Sequence, residues 1–324
     1  MLSRVADTTY WMSRYLERVE NYARFMDVNF NLSLELHPDV SEQWKPLVQT
    51  TGDWELYESL HGEVDKKKVI YFLGFDSNNA NSIFSCIRNA RENARAIRPE
   101  ITKDVWEKVN GLYYKVKDGI EKKVWEKKDP RKFFIEVKES CQLLAGIYDS
   151  TISRTEGWHF GKLGQLIERA DKTSRVLDVK YHMLLPDVKS VGTPTDLVQW
   201  SALLKSVSAY DMYRKKYGKL NPSSICEFLI FDKNFPRAIM NCVEHAHESL
   251  QVVSDKDDEQ LNKADKQMGI FKAHLEYTDV AEVLNQGLHE FLDDTQIKLN
   301  NISTAIYETF FSSENILSQQ SHAQ

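Results

Sequence analysis

The sequence predicts an all-α protein, a multi-helix bundle built from two tandem helical halves that are related by a pseudo-twofold axis. Three observations predict it: a shortage of glycine and proline, apolar residues at helical spacing, and a helical motif that occurs twice. The chain has only 13 glycines and 8 prolines in 324 residues, about half of their usual share of roughly 12%. All-β folds need a turn about every 8–12 residues, so this composition favours long helices instead.

Composition and charge exclude several classes of function. The chain carries 42 Lys and Arg against 48 Asp and Glu, a formal charge of −6, which excludes a strongly basic nucleic-acid-binding protein. Apolar runs such as Val69–Leu73 are far shorter than the ~18 residues of a membrane span. The first 20 residues contain no apolar signal-peptide core, and the four cysteines are widely spaced without a C-x-x-C pair. We therefore expect a cytoplasmic protein with reduced thiols that binds neither nucleic acid nor membrane.

The helices follow one another with short connections. Asp129-Pro130 and Asn221-Pro222 each place a capping side chain before a proline at the first helical position, and Pro38, Pro99 and Pro186 lie where the helical pattern stops. The predicted spans are 3–36, 41–60, 80–98, 102–123, 130–154, 158–185, 195–217, 222–232, 236–253, 257–277 and 279–312.

An internal repeat is the most informative feature of the sequence. The pattern E-R-x5-R-x2-D-V occurs at Glu17, Arg18, Arg24, Asp27 and Val28 and again, 151 residues later, at Glu168, Arg169, Arg175, Asp178 and Val179. A second match, at a spacing of 142 residues, pairs Arg95 with Arg237. We interpret this order as a tandem duplication with a first half over 1–154, a second half over 155–313, and a flexible polar tail over 314–324.

On a helical wheel each copy of the motif has one apolar arc and one polar arc. The residues predicted to be buried are Tyr15, Val19, Met26, Leu166, Ala170 and Leu177. The polar arcs allow two interpretations. They are either solvated faces with ion pairs worth ~0–1 kcal/mol each, or they face each other across the pseudo-dyad as an Arg/Glu network, structural or lining a groove. We expect one polar cluster, formed by Arg14, Glu17, Arg18, Glu168, Arg169 and Arg175.

A stripe of arginines lies on another helix. Arg88, Arg91, Arg95 and Arg98 follow at i, i+3, i+7 and i+10 and so share one side of the helix. Such a stripe either docks on an acidic helix of the same chain or receives an anion, because guanidinium groups suit carboxylate and phosphate. The candidate binding residues are Arg14, Arg18, Arg24, Arg91, Arg95, Arg98, Arg169, Arg175 and Arg237.

Motifs for nucleotides, nucleophilic serine and metal are absent or weak. The sequence has no G-x-x-x-x-G-K-[ST], G-x-G-x-x-G or G-x-S-x-G. His245 and His247 are two residues apart, so on a helix they point in directions about 200° apart and cannot share an ion. We therefore predict no cofactor and no metal.

Several segments of the chain resemble the alpha-E family of bacterial proteins, which is named for an alpha-helical domain with an ER motif. The segments that carry the resemblance are Met1–Asp7, Tyr10–Arg18, Ala90–Arg95 with Arg98, Trp158 with Phe160 and Gly164, Glu168–Thr173, Trp200 with Leu203 and Leu204, Tyr213, and Phe235–Arg237. The two ER copies differ, because Lys172 stands where the first copy has Asn21.

The resemblance implies partners more than it implies chemistry. Members of the alpha-E family occur beside, or fused to, circularly permuted ATP-grasp ligase-like proteins, often with a transglutaminase-like peptidase nearby. The first hypothesis is therefore a non-catalytic helical partner of an ATP-grasp amide ligase in peptide synthesis or modification. The alternative is an enzyme of the same pathway, with Glu17 or Glu168 as acid/base and the arginines holding an anionic peptide or phosphorylated substrate. A third hypothesis is a scaffold that forms a homodimer and whose arginine stripe only binds acidic helices.

Overall fold

The computed structural model of the chain describes residues 1–35, 44–184, 193–254 and 261–312, and the described residues form helices and no strand. The all-α prediction is therefore confirmed for this part of the chain. Pro38, Pro186 and the predicted tail over 314–324 lie outside the described residues. None of the described helices combines the length and the apolar character that a membrane span requires.

Fifteen α-helices follow in the described ranges. The first seven are α1 (Ser3–Glu35), α2 (Trp44–Thr51), α3 (Trp54–His61), α4 (Lys66–Gly74), α5 (Ile83–Ala96), α6 (Lys103–Glu121) and α7 (Arg131–Thr151). The other eight are α8 (Glu156–Leu184), α9 (Pro194–Ser206), α10 (Tyr210–Tyr217), α11 (Pro222–Phe231), α12 (Ile239–Val253), α13 (Lys263–Tyr277), α14 (Val280–Gln286) and α15 (Leu288–Ile306).

Three of the predicted helices are divided in the structure. The spans 41–60, 195–217 and 279–312 break at Gly52, Ser208 and Gly287. The φ angles of these residues are 79°, 53° and 115°, and a right-handed helix requires a negative φ. The prediction also missed α4 altogether. This helix is only nine residues long, and it begins where the Asp65 carboxylate accepts hydrogen bonds from the backbone N–H groups of Lys67 and Lys68.

Two predicted helix starts have different outcomes. Asn221 caps α11 as predicted, because its side chain accepts a hydrogen bond from the Ser224 N–H with Pro222 at the first helical position. Helix α7 begins one residue later than predicted, at Arg131, and Asp129 Oδ1 accepts a hydrogen bond from the Arg131 N–H at 3.0 Å.

Helices α1 and α8 pack against each other at the centre of the fold. Helix α1 also contacts α5, α7 and α9, and α8 also contacts α12, α15 and α2. The two central helices approach closely at Gly164, where an added Cβ would lie 2.3 Å from the backbone oxygen of Tyr10. A glycine is required there, because any side chain would push α8 away from α1.

Structural features recur 156 residues apart along the chain. Residues Gly52 and Ser208 both have positive φ, and the hydroxyls of Tyr57 and Tyr213 both accept a hydrogen bond from the N–H of the cap residue that starts the following helix. Helices α5 and α12 begin at this same spacing. These recurrences support the tandem halves over 1–154 and 155–313, which stay a prediction that a superposition of the two halves would test.

The 142-residue match of the sequence is not the structural one. Arg95 lies in the last turn of α5, whereas Arg237 lies in the turn before α12. At the spacing of 156 residues the residue that corresponds to Arg237 is Asn81, which lies in the turn before α5.

Most of the predicted core is confirmed. Tyr15 is the exception: it is only half-buried, on the rim of α1, where its ring lies against Trp11 at 5.6 Å between centroids. The other five predicted core residues are buried, namely Val19, Met26, Leu166, Ala170 and Leu177.

We expect Met26→Ala or Leu177→Ala to lower the free energy of unfolding by about 2–5 kcal/mol, because each removes a fully buried side chain and leaves a cavity. Urea denaturation measures the loss. Ile270→Ala is the matched control, since Ile270 on α13 is 60% exposed and its loss should stay within about 0.5 kcal/mol. A loss as small as that in either buried variant would contradict the assigned packing.

Candidate functional site

The ER motifs of α1 and α8 exchange ion pairs. Arg18 of α1 binds Glu168 of α8, with Nε 2.6 Å from Oε1 and Nη2 2.9 Å from Oε2. Arg169 of α8 binds Glu17 of α1 in the same way, with Nε 3.0 Å from Oε1 and Nη2 2.8 Å from Oε2. Each arginine thus makes a two-pronged contact with the glutamate of the other motif, the strongest geometry for a guanidinium and a carboxylate.

Two more cations contact Glu168. Arg14 donates from Nε to Glu168 Oε2 at 2.9 Å, and Lys172 lies 3.4 Å from Oε1. Lys172 also binds Asp171, which Arg175 binds from the next turn. We call this group the Glu168 network; its members are Arg14, Arg18, Glu168, Asp171, Lys172 and Arg175.

A second network surrounds Glu17. Arg237, from the turn before α12, donates to Glu17 Oε1 at 3.0 Å and to Glu20 Oε1 at 2.8 Å. Arg24 binds the same oxygen of Glu20 and also the hydroxyl of Ser208. We call this group the Glu17 network; its members are Glu17, Glu20, Arg24, Arg169 and Arg237. The two networks together are the ER cluster.

The predicted polar cluster of six residues therefore exists as two adjoining networks, and its burial excludes the solvated-face interpretation. The side chains of Glu17 and Glu168 have no exposed surface. A charge buried to this degree is stable only when it is paired and hydrogen-bonded, which both glutamates achieve on both of their oxygens.

The electrostatics hold both glutamates in the ionised form. Burial alone would raise the pKa of Glu17, but Arg169 and Arg237 lower it to about 2. Burial would likewise raise the pKa of Glu168, and Arg18, Lys172 and Arg14 hold it well below its usual range. An acid catalyst near neutral pH needs a pKa close to the working pH, so this arrangement disfavours both residues as general acids.

The ER cluster contains more cations than carboxylates. Its seven basic side chains face four acidic ones, and the excess is larger in the Glu168 network, which has four cations and two carboxylates. The cations also lie nearer to solvent. Arg18 is 12% exposed and Arg175 is 22% exposed, whereas Glu168 beneath them is completely buried. The surface of the Glu168 network is therefore positive.

Two buried polar atoms beside the Glu168 network have no hydrogen-bond partner among the described residues. They are the Tyr22 hydroxyl and Oδ2 of Asp53. Asp53 is linked to the network through Asn81, which donates to Asp53 Oδ1 and accepts from Arg18. Buried polar groups are nearly always satisfied, so unpartnered atoms next to excess positive charge mark this region as a candidate binding site.

The arginine stripe of α5 does not join the ER cluster through any contact among the described residues. Arg91 binds Asn110 and lies 4.8 Å from the centre of the Tyr113 ring. Arg98 lies over Trp106, and Arg95, 68% exposed, pairs with Glu92. Arg91 and Arg98 thus pack on the aromatic side chains of α6 rather than on an acidic helix.

Sequence reasoning missed part of the cluster. Arg237 was chosen through the 142-residue match with Arg95, which does not correspond to the structure. Glu20, Asp171 and Lys172 were not proposed for the site. Glu20 and Asp171 lie 151 residues apart, as the two ER pairs do, and each binds the arginine one turn later. That shared spacing of 151 residues could have identified Glu20 and Asp171 as members of the cluster.

No group of three or more His, Cys, Asp or Glu side chains is arranged to hold a metal ion in the described part of the chain. His245 binds Glu248 on its own helix and is half-exposed. The four cysteines are buried, and burial raises the pKa of the Cys86 thiol to about 11, so this thiol is protonated at neutral pH.

We expect the double variant Glu17→Gln and Glu168→Gln to lose about 3–5 kcal/mol of unfolding free energy per site at pH 7, because each change leaves buried arginines without their charge partner. Glu92→Gln, which breaks an exposed pair of the same type, should cost no more than about 1 kcal/mol. Denaturant unfolding of both variants measures the difference. Equal losses in the two proteins would contradict a structural role for the ER cluster.

The stability of the wild type should also depend on pH through Glu17. Its pKa is lower in the folded state, about 2 against an ordinary 4.5, so the folded state holds fewer protons than the unfolded state. The stabilisation is complete above pH 4.5 and is lost as the pH falls through about 2. Unfolding free energies measured between pH 7 and pH 2 should fall less steeply in Glu17→Gln than in the wild type; equal slopes would contradict the assignment.

Comparisons with known proteins agree with the geometry. The sequence model of the Alpha-E family, described as a predicted alpha-helical domain with a conserved ER motif, matches residues 1–311. Uncharacterised proteins of Mycobacterium bovis and Mycobacterium tuberculosis are 23% identical over 273 residues. The match covers 76% of this chain and 29% of those relatives, so the chain spans less than a third of their length. No solved structure matches significantly.

Proposed function

Since the chain belongs to the Alpha-E family, we propose that it is a non-catalytic helical accessory protein that works with an ATP-grasp amide ligase in peptide synthesis or modification. In this proposal the Glu168 network binds an anionic group, a carboxylate or a phosphate, of the substrate or of the ligase. The observation that carries the proposal is the excess of cations in that network, with partly exposed guanidinium groups above a buried carboxylate.

The physical argument is one of charge balance. Four cations and two carboxylates leave the network with a net charge of +2, and an anion at Arg18 and Arg175 would balance part of that charge. The Tyr22 hydroxyl, which has no partner among the described residues, is a further donor beside the same network.

The length of the relatives supports a role beside another protein or domain. The region similar to this chain is 29% of the mycobacterial proteins, so an Alpha-E unit occurs there as one part of a longer chain. A transglutaminase-like peptidase stays a second proposed partner on the family resemblance alone. The enzymatic alternative receives no support from the geometry, because Glu17 and Glu168 are ionised and their oxygens are bound by arginines.

We expect inorganic phosphate to raise the melting temperature of the wild type above the value in chloride at equal ionic strength. A ligand at a hundred times its Kd stabilises by about 2.7 kcal/mol. Arg175→Gln should reduce this rise, and Arg95→Gln, which changes an exposed arginine outside the ER cluster, should keep it. Differential scanning fluorimetry measures both. A rise that Arg95→Gln abolishes and Arg175→Gln preserves would assign anion binding to the α5 stripe instead.

The role beside a ligase requires its own experiment. We expect this chain to co-purify with the ATP-grasp protein encoded nearest to it and to change that protein's rate of ATP hydrolysis. Arg175→Gln should weaken the effect while Arg95→Gln leaves it unchanged. A folded chain that neither co-purifies with the ATP-grasp protein nor alters its hydrolysis would contradict the accessory role.

A further inference from the structure

A cleft lies between α1, α7 and α8, on the side of the Glu17 network. Its cavity volume is about 40 Å³, and it is open to solvent on one side. Helix α1 lines it with Ser13, Leu16, Glu17 and Glu20, which follow at i, i+3, i+4 and i+7 and so form one continuous face. Val105 of α6 contributes to the wall. The cleft is separate from the partly exposed arginines of the Glu168 network, none of which lines it.

Glu20 presents an unused carboxylate oxygen at this cleft. Its side chain is only 6% exposed, and both of its arginine partners, Arg24 and Arg237, donate to Oε1. Among the described residues nothing donates to Oε2. The neighbouring Glu17 Oε2 accepts one hydrogen bond, from Arg169. A carboxylate oxygen can accept at least two hydrogen bonds, so Glu20 can accept a further donor from within the cleft, whereas the Glu17 side chain has no exposed surface.

The charge and shape of the cleft define what could enter. Two carboxylates with exposed surface line it, those of Glu20 and Asp149, and the single ammonium of Lys162 is bound to Asp149 at 2.7 Å. The walls between are apolar, with Leu16 on α1 and Leu144 and Ala145 on α7. The arginines that bind Glu20 do not line the cleft, and Lys162 is paired with Asp149, so the Glu20 carboxylate is the charge that an occupant can pair with.

We propose that this cleft binds a primary ammonium group carried on an unbranched apolar stem, as in a lysine side chain or an alkylammonium ion. The ammonium donates to Glu20 Oε2, and the stem packs between Leu16 and Leu144. An anion would meet the carboxylates, and a neutral alcohol would forgo the charge-assisted hydrogen bond, which is about twice as strong as a neutral one. The site is independent of anion binding at the Glu168 network and of any ligase.

Isothermal titration calorimetry of the full chain with n-pentylammonium tests the proposal, with pentan-1-ol and pentanoate as ligands of the same stem. We expect saturable binding of the ammonium and binding at least about ten-fold weaker for the other two. Pentanol or pentanoate binding as tightly as the ammonium would overturn the proposal. So would the absence of saturable binding by n-pentylammonium up to about 10 mM, well above a millimolar Kd.

Two variants locate the binding. Glu20→Gln keeps the shape and should weaken n-pentylammonium binding at least about ten-fold. Because this change also takes a charge partner from Arg24 and Arg237, Ala145→Leu provides a second test: it fills the half-buried wall of the cleft from α7 and leaves the ER cluster intact. It should abolish binding, while Ala273→Leu on the exposed face of α13 should not. Wild-type affinity in Ala145→Leu would overturn the assignment of the site, whether or not the Glu20→Gln variant folds.

Discussion

The exchange of arginines between Glu17 and Glu168 is the constraint on which the arrangement of the central helices depends. Two fully buried carboxylates cost several kcal/mol each to desolvate, and the arginines of the partner helix, together with Arg237 before α12, offset this cost. A shift of α1 along α8 by one turn would move Arg18 away from Glu168 and Arg169 away from Glu17 at the same time. The ion pairs therefore select one register, which apolar packing alone would specify less sharply.

The close approach of the two helices depends on the same register. Gly164 allows α8 to contact the backbone of α1 at Tyr10, and Glu168 follows one helical turn later. Because Gly164 has no side chain, α1 and α8 lie close enough for Arg14 and Arg18 of α1 to reach Glu168 of α8. Packing and electrostatics thus specify the same geometry, and neither is satisfied without the other.

The fold class and the centre of the site could be predicted from the sequence, because a motif that occurs twice carries its own evidence. The break at Ser208 could not, since nothing in the local sequence marks it as a residue with positive φ, whereas Gly52 and Gly287 were available signals for the other two breaks. Arg237 reaches Glu17 from a turn 220 residues away, and one sequence does not encode such a contact in any local pattern. The polar arcs were ambiguous because burial, which distinguishes a network from a solvated face, is a property of the assembled helices.

The two networks are similar in plan and different in charge. Arg14 contacts Glu168, but the residue 151 positions later is the neutral Gln165. Tyr22 has an unpartnered hydroxyl among the described residues, whereas its counterpart Thr173 donates to the Arg237 backbone oxygen. The Glu168 network therefore has the larger excess of positive charge, and the Glu17 network presents the Glu20 carboxylate to a cleft. Divergence of the two copies produces two chemically distinct surfaces on one helix pair.

The residues that exchange ion pairs are separated by about 150 positions in the chain, which has a consequence for folding during synthesis. When α1 leaves the ribosome, Arg18 and Glu17 lack their partners on α8, and about 150 residues must follow before α8 can supply them. Contacts of such long sequence separation close late and slow the search for the native state. Until α8 has been synthesised, α1 is therefore a nascent segment without its central contacts.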